Sequence, residues 1–342
     1  MTQIMVLLRI DRVIEFGKQE LEWLTLGAAV FGGGGGGDPL LGSLMAGQAI
    51  ANHGSVSLID LDSLDDDDLI VPAAMIGAPT VMTEKFASGD EGERLISALE
   101  AQLGRKVAAY CCAELGGING VLPITWAARS KLPIVDCDLM GRAFPELQMT
   151  TAALAGIDIS PVVVTDERGN VATFTTINAN WAEKMVRTVV GSVGGEASMC
   201  LYPMTVAQAK TGTVQGSLSR AMDVGRVLLE ATDDPIAALC SSVDGFALVE
   251  GKIVDVDRQT TDAFARGTVT IEGTGTDGGR LIRLEFQNEN TLVLEDGRVL
   301  ACVPDIITVV DVHSARPIVT ELLRYGQRVS VIALPCDPVW RT

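Results

Sequence analysis

Asp136 and Asp138 flank a cysteine in the run Ile134-Val135-Asp136-Cys137-Asp138. Residues two apart on a strand share a face, so this spacing predicts paired carboxylates. Such a pair can share a proton or hold a hard or borderline metal ion. The same two residues also suit a solvated strand end or a helix N-cap. Glu114 and Cys111 lie at the end of the preceding apolar run and extend the donor set. Asp136, Asp138, Glu114 and Cys111 are therefore candidate ligands for one divalent ion, zinc first among them. Asp136, Asp138 and Glu114 are also candidate acids or bases. His53 sits beside Gly54 at a predicted helix end, where a cation complements the dipole. His313, just past Asp311-Val312, is the better histidine candidate for a ligand or base. Arg142 could hold a substrate carboxylate in a bidentate manner.

Two glycine-rich stretches could bind the substrate. Residues 32–37 are all glycine and lead into Asp38-Pro39. Asp as N-cap and Pro at the first helical position predict a helix start. Such a terminus presents free N–H groups to an anion, so Gly34, Gly35, Gly36, Gly37 and Asp38 are candidate contacts. A flexible connector would have the same composition. No Lys-Ser/Thr follows the run, which excludes a Walker loop, and no strand precedes it, which weakens a dinucleotide fingerprint. No nucleotide is expected. The second stretch is Gly116-Gly117-Ile118-Asn119, directly after Glu114. Its backbone N–H groups could take up developing negative charge, with Asn119 as a further polar contact. The acidic run at residues 65–68 lacks the alternation of a calcium loop and reads as a solvated turn.

The elements that must position these residues alternate. Helical spacing covers residues 18–30, 39–53, 91–103, 122–131 and 146–155. Strand-like runs cover 55–59, 69–76, 107–112 and 133–137, the second closing at Gly77-Ala78-Pro79. Strand, loop and helix in turn predict βαβ units and a largely parallel sheet. Ligands bind beyond the carboxyl ends of such strands, and there the candidate loops would gather. From residue 161 the pattern changes to a hairpin at 162–175, helices at 181–190, 218–230 and 235–241, and a strand at 197–201. After Gly245 it becomes strand-rich, which predicts a small antiparallel sheet or partly closed barrel. The expected fold is α/β, with an N-terminal domain at 1–160. A C-terminal domain at 161–342 would be α+β to residue 244 and strand-rich beyond.

The composition narrows the function. The chain has 342 residues and a formal charge of −18. An acidic surface repels phosphate, so nucleic acid and anionic membranes are poor partners. Aromatic residues make up only 4%, which leaves little for stacking on bases. Seven scattered cysteines without a CxxC pair suit reduced thiols in a cytoplasmic protein. The opening MTQIMVLLRIDRV lacks a basic leader and carries charges inside its apolar run, which argues against a signal peptide. No run of about 18 apolar residues predicts a membrane span.

Taken together, three motifs resemble one family. The stretch Leu26-Gly27-Ala28-Ala29-Val30-Phe31 with the glycine run and Asp38-Pro39 resembles the opening motif of a family once filed as a domain of unknown function. That family is now named for S-methyl thiohydantoin desulfurase. Ala113-Glu114-Leu115-Gly116-Gly117-Ile118-Asn119-Gly120 is similar to its second motif. Val135-Asp136-Cys137-Asp138-Leu139-Met140-Gly141-Arg142-Ala143-Phe144-Pro145-Glu146-Leu147-Gln148-Met149-Thr150 is similar to its third, the most specific of the three. Gly251-Lys252-Ile253-Val254-Asp255-Val256 fits its C-terminal domain. One departure is that the family usually has a small residue interrupting the glycine run, where this chain has Gly. The resemblance implies two domains and hydrolytic removal of sulfur from a thiohydantoin-like ring, as sulfide or thiol. It also implies association with hydantoinase- or oxoprolinase-type enzymes, so an accessory, non-catalytic subunit is the alternative. The expected ligand is a cyclic imide or thioimide, and a homo-oligomer is expected.

Overall fold

The computed structural model describes residues 13–77, 81, 85, 87–261 and 264–341. The N-terminal run weighed as a leader, and Ala78-Pro79 after the second strand, lie outside the described residues. Within them the chain begins with β1 (Ile14–Glu15), α1 (Lys18–Phe31), α2 (Pro39–His53), β2 (Ser57–Ile59) and β3 (Leu69–Gly77). It continues through α3 (Glu91–Leu103), β4 (Val107–Cys112), α4 (Pro123–Ser130) and β5 (Ile134–Asp138). Strands β2, β5, β4 and β3 pair in that order and in parallel. β3 is buried over all but its last residue, as a strand covered on both faces must be. Its sequence is accordingly a continuous apolar run rather than an alternation.

The caps follow the local chemistry. Asp38 accepts a hydrogen bond from the Leu40 N–H at 2.9 Å, and Pro39 opens α2. Gly104 ends α3 in the left-handed conformation, at φ 65°. The helix expected over residues 146–155 is reduced to α5 (Thr151–Leu154), capped by the Thr150 hydroxyl. Side chains elsewhere claim the backbone before it: Arg187 donates to the Pro145 carbonyl at 2.7 Å and Glu183 accepts from Leu147 N–H at 3.1 Å. Tyr202 donates to the Leu147 carbonyl at 3.0 Å. Such partners favour an extended loop over helical hydrogen bonding.

The segment after residue 160 extends the same sheet. β6 (Val162–Thr165) and β7 (Val171–Phe174) form the expected hairpin. After α6 (Ala179–Ser192), β8 (Glu196–Cys200) inserts antiparallel between β3 and β6. Short β9 (Met204–Thr205) and β10 (Val214–Gln215) flank α7 (Val206–Gly212) and pair with β3 and β5. α8 (Ser217–Glu230) and α9 (Pro235–Ser242) follow, and α8 packs along α1.

The last third is a second, curled antiparallel sheet that forms a half-barrel. Its strands are β11 (Phe246–Thr261), β12 (Phe264–Gly273), β13 (Leu281–Gln287), β14 (Glu289–Glu295), β15 (Arg298–Cys302), β16 (Ile306–Asp311) and β17 (Arg328–Leu334). They lie in the order β15-β14-β13-β12-β11-β17-β16. Val249, Val269, Leu284, Val309 and Val331 fill its interior. The half-barrel grips the glycine run: Asn290 N–H donates to Gly33 O at 2.8 Å and Thr320 N–H to Gly34 O at 2.9 Å. Among the described residues, no helix is long and apolar enough to cross a membrane.

Candidate functional site

At the carboxyl ends of β3, β4 and β5, where parallel sheets place ligands, a cavity of about 60 Å³ lies against the half-barrel. Its floor includes Met75 and Gly77 of β3 and Glu114 beyond β4, with Gly36 and Gly37 beside them. Phe144 and Leu147 form one wall, and Asn288 and Glu289 of the half-barrel form another.

The glycine run reaches this place because its backbone packs on backbone. Gly36 sits at φ 74°, and a Cβ there would lie 2.4 Å from the Gly116 carbonyl oxygen. Gly117, at φ 61°, is barred from a side chain by Gly36 in the same way. Ile118 N–H donates to Gly36 O at 2.9 Å and ties the two loops together. No other residue type supplies both the positive φ and the clearance. At Gly35 the obstacle is different, since a Cβ would meet Glu289 Oε1 at 2.2 Å. That glycine leaves room for the carboxyl group of a residue more than 250 positions away in sequence.

Glu114 is buried and well partnered. Asn119 Nδ2 donates to its Oε1 at 2.7 Å, and Phe144 N–H donates to Oε2 at 3.3 Å. Asn119 is itself fixed by Met75, whose N–H it accepts at 2.7 Å and whose carbonyl it donates to at 3.1 Å. Burial pushes the Glu114 carboxyl up to about 7, against the pull of these donors. Burial is also the first cause for Glu289, raised to about 8, and the negative charge of Glu114 is the second. Glu289 is only 4% exposed, and its Oε2 has no hydrogen-bond partner. It opens β14 directly after Asn288, a left-handed residue at φ 58°. Glu289 is not among the candidates that residue type and spacing single out. The one available signal was Asn-Glu-Asn at the mouth of a tight hairpin.

Arg142 does not line the cavity. Its Nε donates to Ala143 O at 2.9 Å and its Nη1 to the carbonyls of Pro304 and Asp305. It thereby bolts the wall to the half-barrel, with its guanidinium 4.4 Å from the Phe144 ring centre. Burial brings its pKa down to about 10. The C-terminal turn supports the same wall: the Trp340 and Phe144 rings meet edge to face at 4.9 Å, and Trp340 Nε1 donates to Met140 O at 2.8 Å.

Asp136 and Asp138 stay out of the cavity and work on the loops around it. Asp136 accepts from the N–H groups of Leu218 and Ser219 at 2.9 and 3.2 Å, and from the Ser219 hydroxyl. It is thus a long-range cap for α8, the helix-cap alternative that its residue type allowed. Asp138 Oδ2 gathers three N–H groups, from Leu115, Met140 and Gly141, at 2.7–2.9 Å. This joins the loop after β4 to the loop after β5. Burial still raises its carboxyl to about 7. Cys111 is buried beside Cys137 in an apolar cluster of the N-terminal sheet. His313 lies in an exposed turn, its N–H donating to Asp311 at 3.1 Å. Asp38 is committed to its helix cap and Gly34 to Thr320.

The expected metal set of Asp136, Asp138, Glu114 and Cys111 therefore does not converge. The carboxylates of Asp136 and Asp138 already serve backbone donors, and the Cys111 thiol faces another cysteine. Among the described residues, no group of three or more His, Cys, Asp or Glu side chains is placed to hold a metal ion.

Residues 19–176 match the family profile of the S-Me-THD-like N-terminal domain, and residues 177–342 that of the S-Me-THD-like C-terminal domain. The fold is similar to the X-ray crystal structure of a protein from Chromobacterium violaceum, with a TM-score of 0.78 and 25% identity. The similarity covers 95% of this chain and 92% of the other. The comparison with curated proteins gives no match.

Proposed function

We propose a desulfurase function on one premise, that this chain belongs to the S-Me-THD-like family, as matched over residues 19–342. The cavity takes a five-membered cyclic thioimide and hydrolyses its carbon–sulfur bond. The Glu114 carboxylate accepts a proton from water, and the water oxygen bonds to the ring carbon that bears sulfur. In an S-methyl ring the carbon–nitrogen double bond opens onto nitrogen, which takes that proton from Glu114; in a thione ring the carbon–sulfur double bond opens onto sulfur instead. The carbon–sulfur bond then breaks, and sulfur leaves as thiol or sulfide with a proton, giving a ring carbonyl. One water is consumed and both its hydrogens are placed. The backbone of Gly36 and Gly37 on the cavity wall is the source of hydrogen bonds for the negative charge. Arg142 acts as a positioning residue, through Phe144.

The position of Glu114 carries this reading. It is a buried carboxylate at the carboxyl end of a parallel strand, held by Asn119 and facing a cavity. The cavity has room for only a few waters, so taking up a ring requires it to widen. The test is release of methanethiol and sulfide from a panel of S-methyl thiohydantoins and thiohydantoins. The purified chain is expected to release them, and Glu114→Gln to lower the rate by about 10²–10⁴-fold. No release from any ring would overturn the reading. Co-purification with a hydantoinase- or oxoprolinase-type enzyme would then favour the accessory-subunit alternative.

A further inference from the structure

We infer that Glu289 is the second reacting carboxyl of this site, holding a proton in the same cavity as the Glu114 carboxylate and passing it to the departing sulfur. This rests on the desulfurase reading above and adds a residue from the half-barrel to it.

The argument is an asymmetry between two acids in one cavity. Both are buried and both line it. Glu114 receives a donor on each oxygen, from Asn119 and Phe144, and hydrogen bonds to the charged form favour that form. Glu289 has an oxygen with no donor at all. An ionised carboxylate so placed would be desolvated without compensation, whereas a protonated one is neutral and can itself donate. Two carboxylates close together in a buried site do not ionise together easily. The proton therefore settles on the acid with fewer donors. The charges that bear on Glu289 are Glu114 beyond β4, Arg142 in the loop after β5, and Glu321 in the turn before β17. Those that bear on Glu114 are Asp138, Arg142 and, reciprocally, Glu289. Arg187, which lines the cavity together with Glu146, is paired with Glu183 at 2.7 Å, and Arg142 does not neutralise Glu289 by direct contact. Its Nε and Nη1 are spent on carbonyl oxygens, and its Nη2 has no hydrogen-bond partner.

The chemistry needs this division of labour. Attack by water calls for a base, and departure of a thiolate calls for an acid. An ionised and a protonated carboxyl in one cavity supply both without a further reactant. In the reaction the O–H bond of Glu289 breaks and an S–H bond forms, while Glu114 gains the proton lost by water. Glu114 passes that proton to the ring nitrogen, takes the second water proton from the hydroxyl as the carbonyl forms, and returns it to Glu289, directly or through water, which resets the site.

The experiment compares wild type, Glu289→Gln and Glu289→Asp. Infrared spectra of protein with isotope-labelled glutamate are expected to show a protonated-carboxyl band at neutral pH that Glu289→Gln removes. With an S-methyl ring, Glu289→Gln is expected to lose about 10²–10⁴-fold in rate. An S-aryl ring, whose thiolate leaves without help, should recover most of that loss. Glu289→Asp keeps the acid with a shorter reach, retains part of the activity, and guards against a folding failure in the first variant. Absence of the band, or an equal loss with both leaving groups, overturns the proposal. If no ring releases thiol, the desulfurase reading falls and sulfur falls as the acceptor. The infrared band then still decides whether Glu289 stores the proton.

Discussion

Asn119 Nδ2 lies 2.7 Å from Glu114 Oε1, while the Oδ1 of the same amide accepts the Met75 N–H at 2.7 Å. One side chain thus binds the edge of β3 and aims the carboxylate that follows β4. Asn119→Ala is expected to have two effects. Losing a donor to the charged form raises the Glu114 pKa further above its ordinary range, so the activity that needs ionised Glu114 sets in at higher pH. A buried N–H at Met75 is also left unpaired, at a cost of about 1–3 kcal/mol. A pH–rate profile checks the first effect and urea unfolding the second.

Three glycines separate packing from chemistry. Gly36→Ala and Gly117→Ala both place a Cβ against backbone at positive φ, and each is expected to cost at least about 1–3 kcal/mol. Gly35→Ala meets the Glu289 side chain, from Cγ to Oε1, rather than backbone, and does so without a positive φ. Its melting temperature should move less than theirs, while its turnover falls because the carboxyl is displaced. Similar loss of stability in all three variants would contradict this.

Asp136 caps a helix, so its removal should be felt as stability. Asp136→Ala is expected to destabilise by about 1–2 kcal/mol, as for other lost N-caps. Rate per folded molecule should stay near that of wild type, unlike Glu114→Gln. Denaturant titration together with active-site-normalised rates checks both parts.

Stability should depend on pH with a definite sign. Glu114, Asp138 and Glu289 are raised to about 7, 7 and 8, whereas the unfolded chain releases these protons near pH 4. The folded state therefore binds more protons between about pH 4 and pH 8. The stabilisation from these three groups is complete below that window and is lost as pH rises through it. Groups with lowered pKa values, such as Asp166 and Asp305, act oppositely and lose their contribution only as pH falls into the carboxylate range. Melting temperature is expected to decline from pH 6 to pH 8, with a shallower decline in Glu289→Gln.

Much of this could be read from the residues alone. A βαβ alternation, Asp38-Pro39 as a helix start and a strand-rich last third follow from local spacing and caps, and local spacing survives folding. So does the assignment of the loops after β3, β4 and β5 to one edge, because parallel strands point the same way. Glu114 and Asn119 were legible as candidates because they sit in those loops. What tertiary structure decided is which candidates share a cavity. Asp136 and Asp138 have the composition of an acid pair, yet the N–H groups of Leu218, Ser219, Leu115, Met140 and Gly141 claim them. Three of those five donors, Leu218, Ser219 and Leu115, belong to another loop or helix, and local spacing carries no record of them. Glu289 came to the site only when the half-barrel docked on the glycine run, through Gly33 with Asn290 and Gly34 with Thr320. Residue type alone determines what a side chain can do. Whether its charge is already spent on a backbone donor, or left facing a cavity without one, is decided by contacts across hundreds of residues.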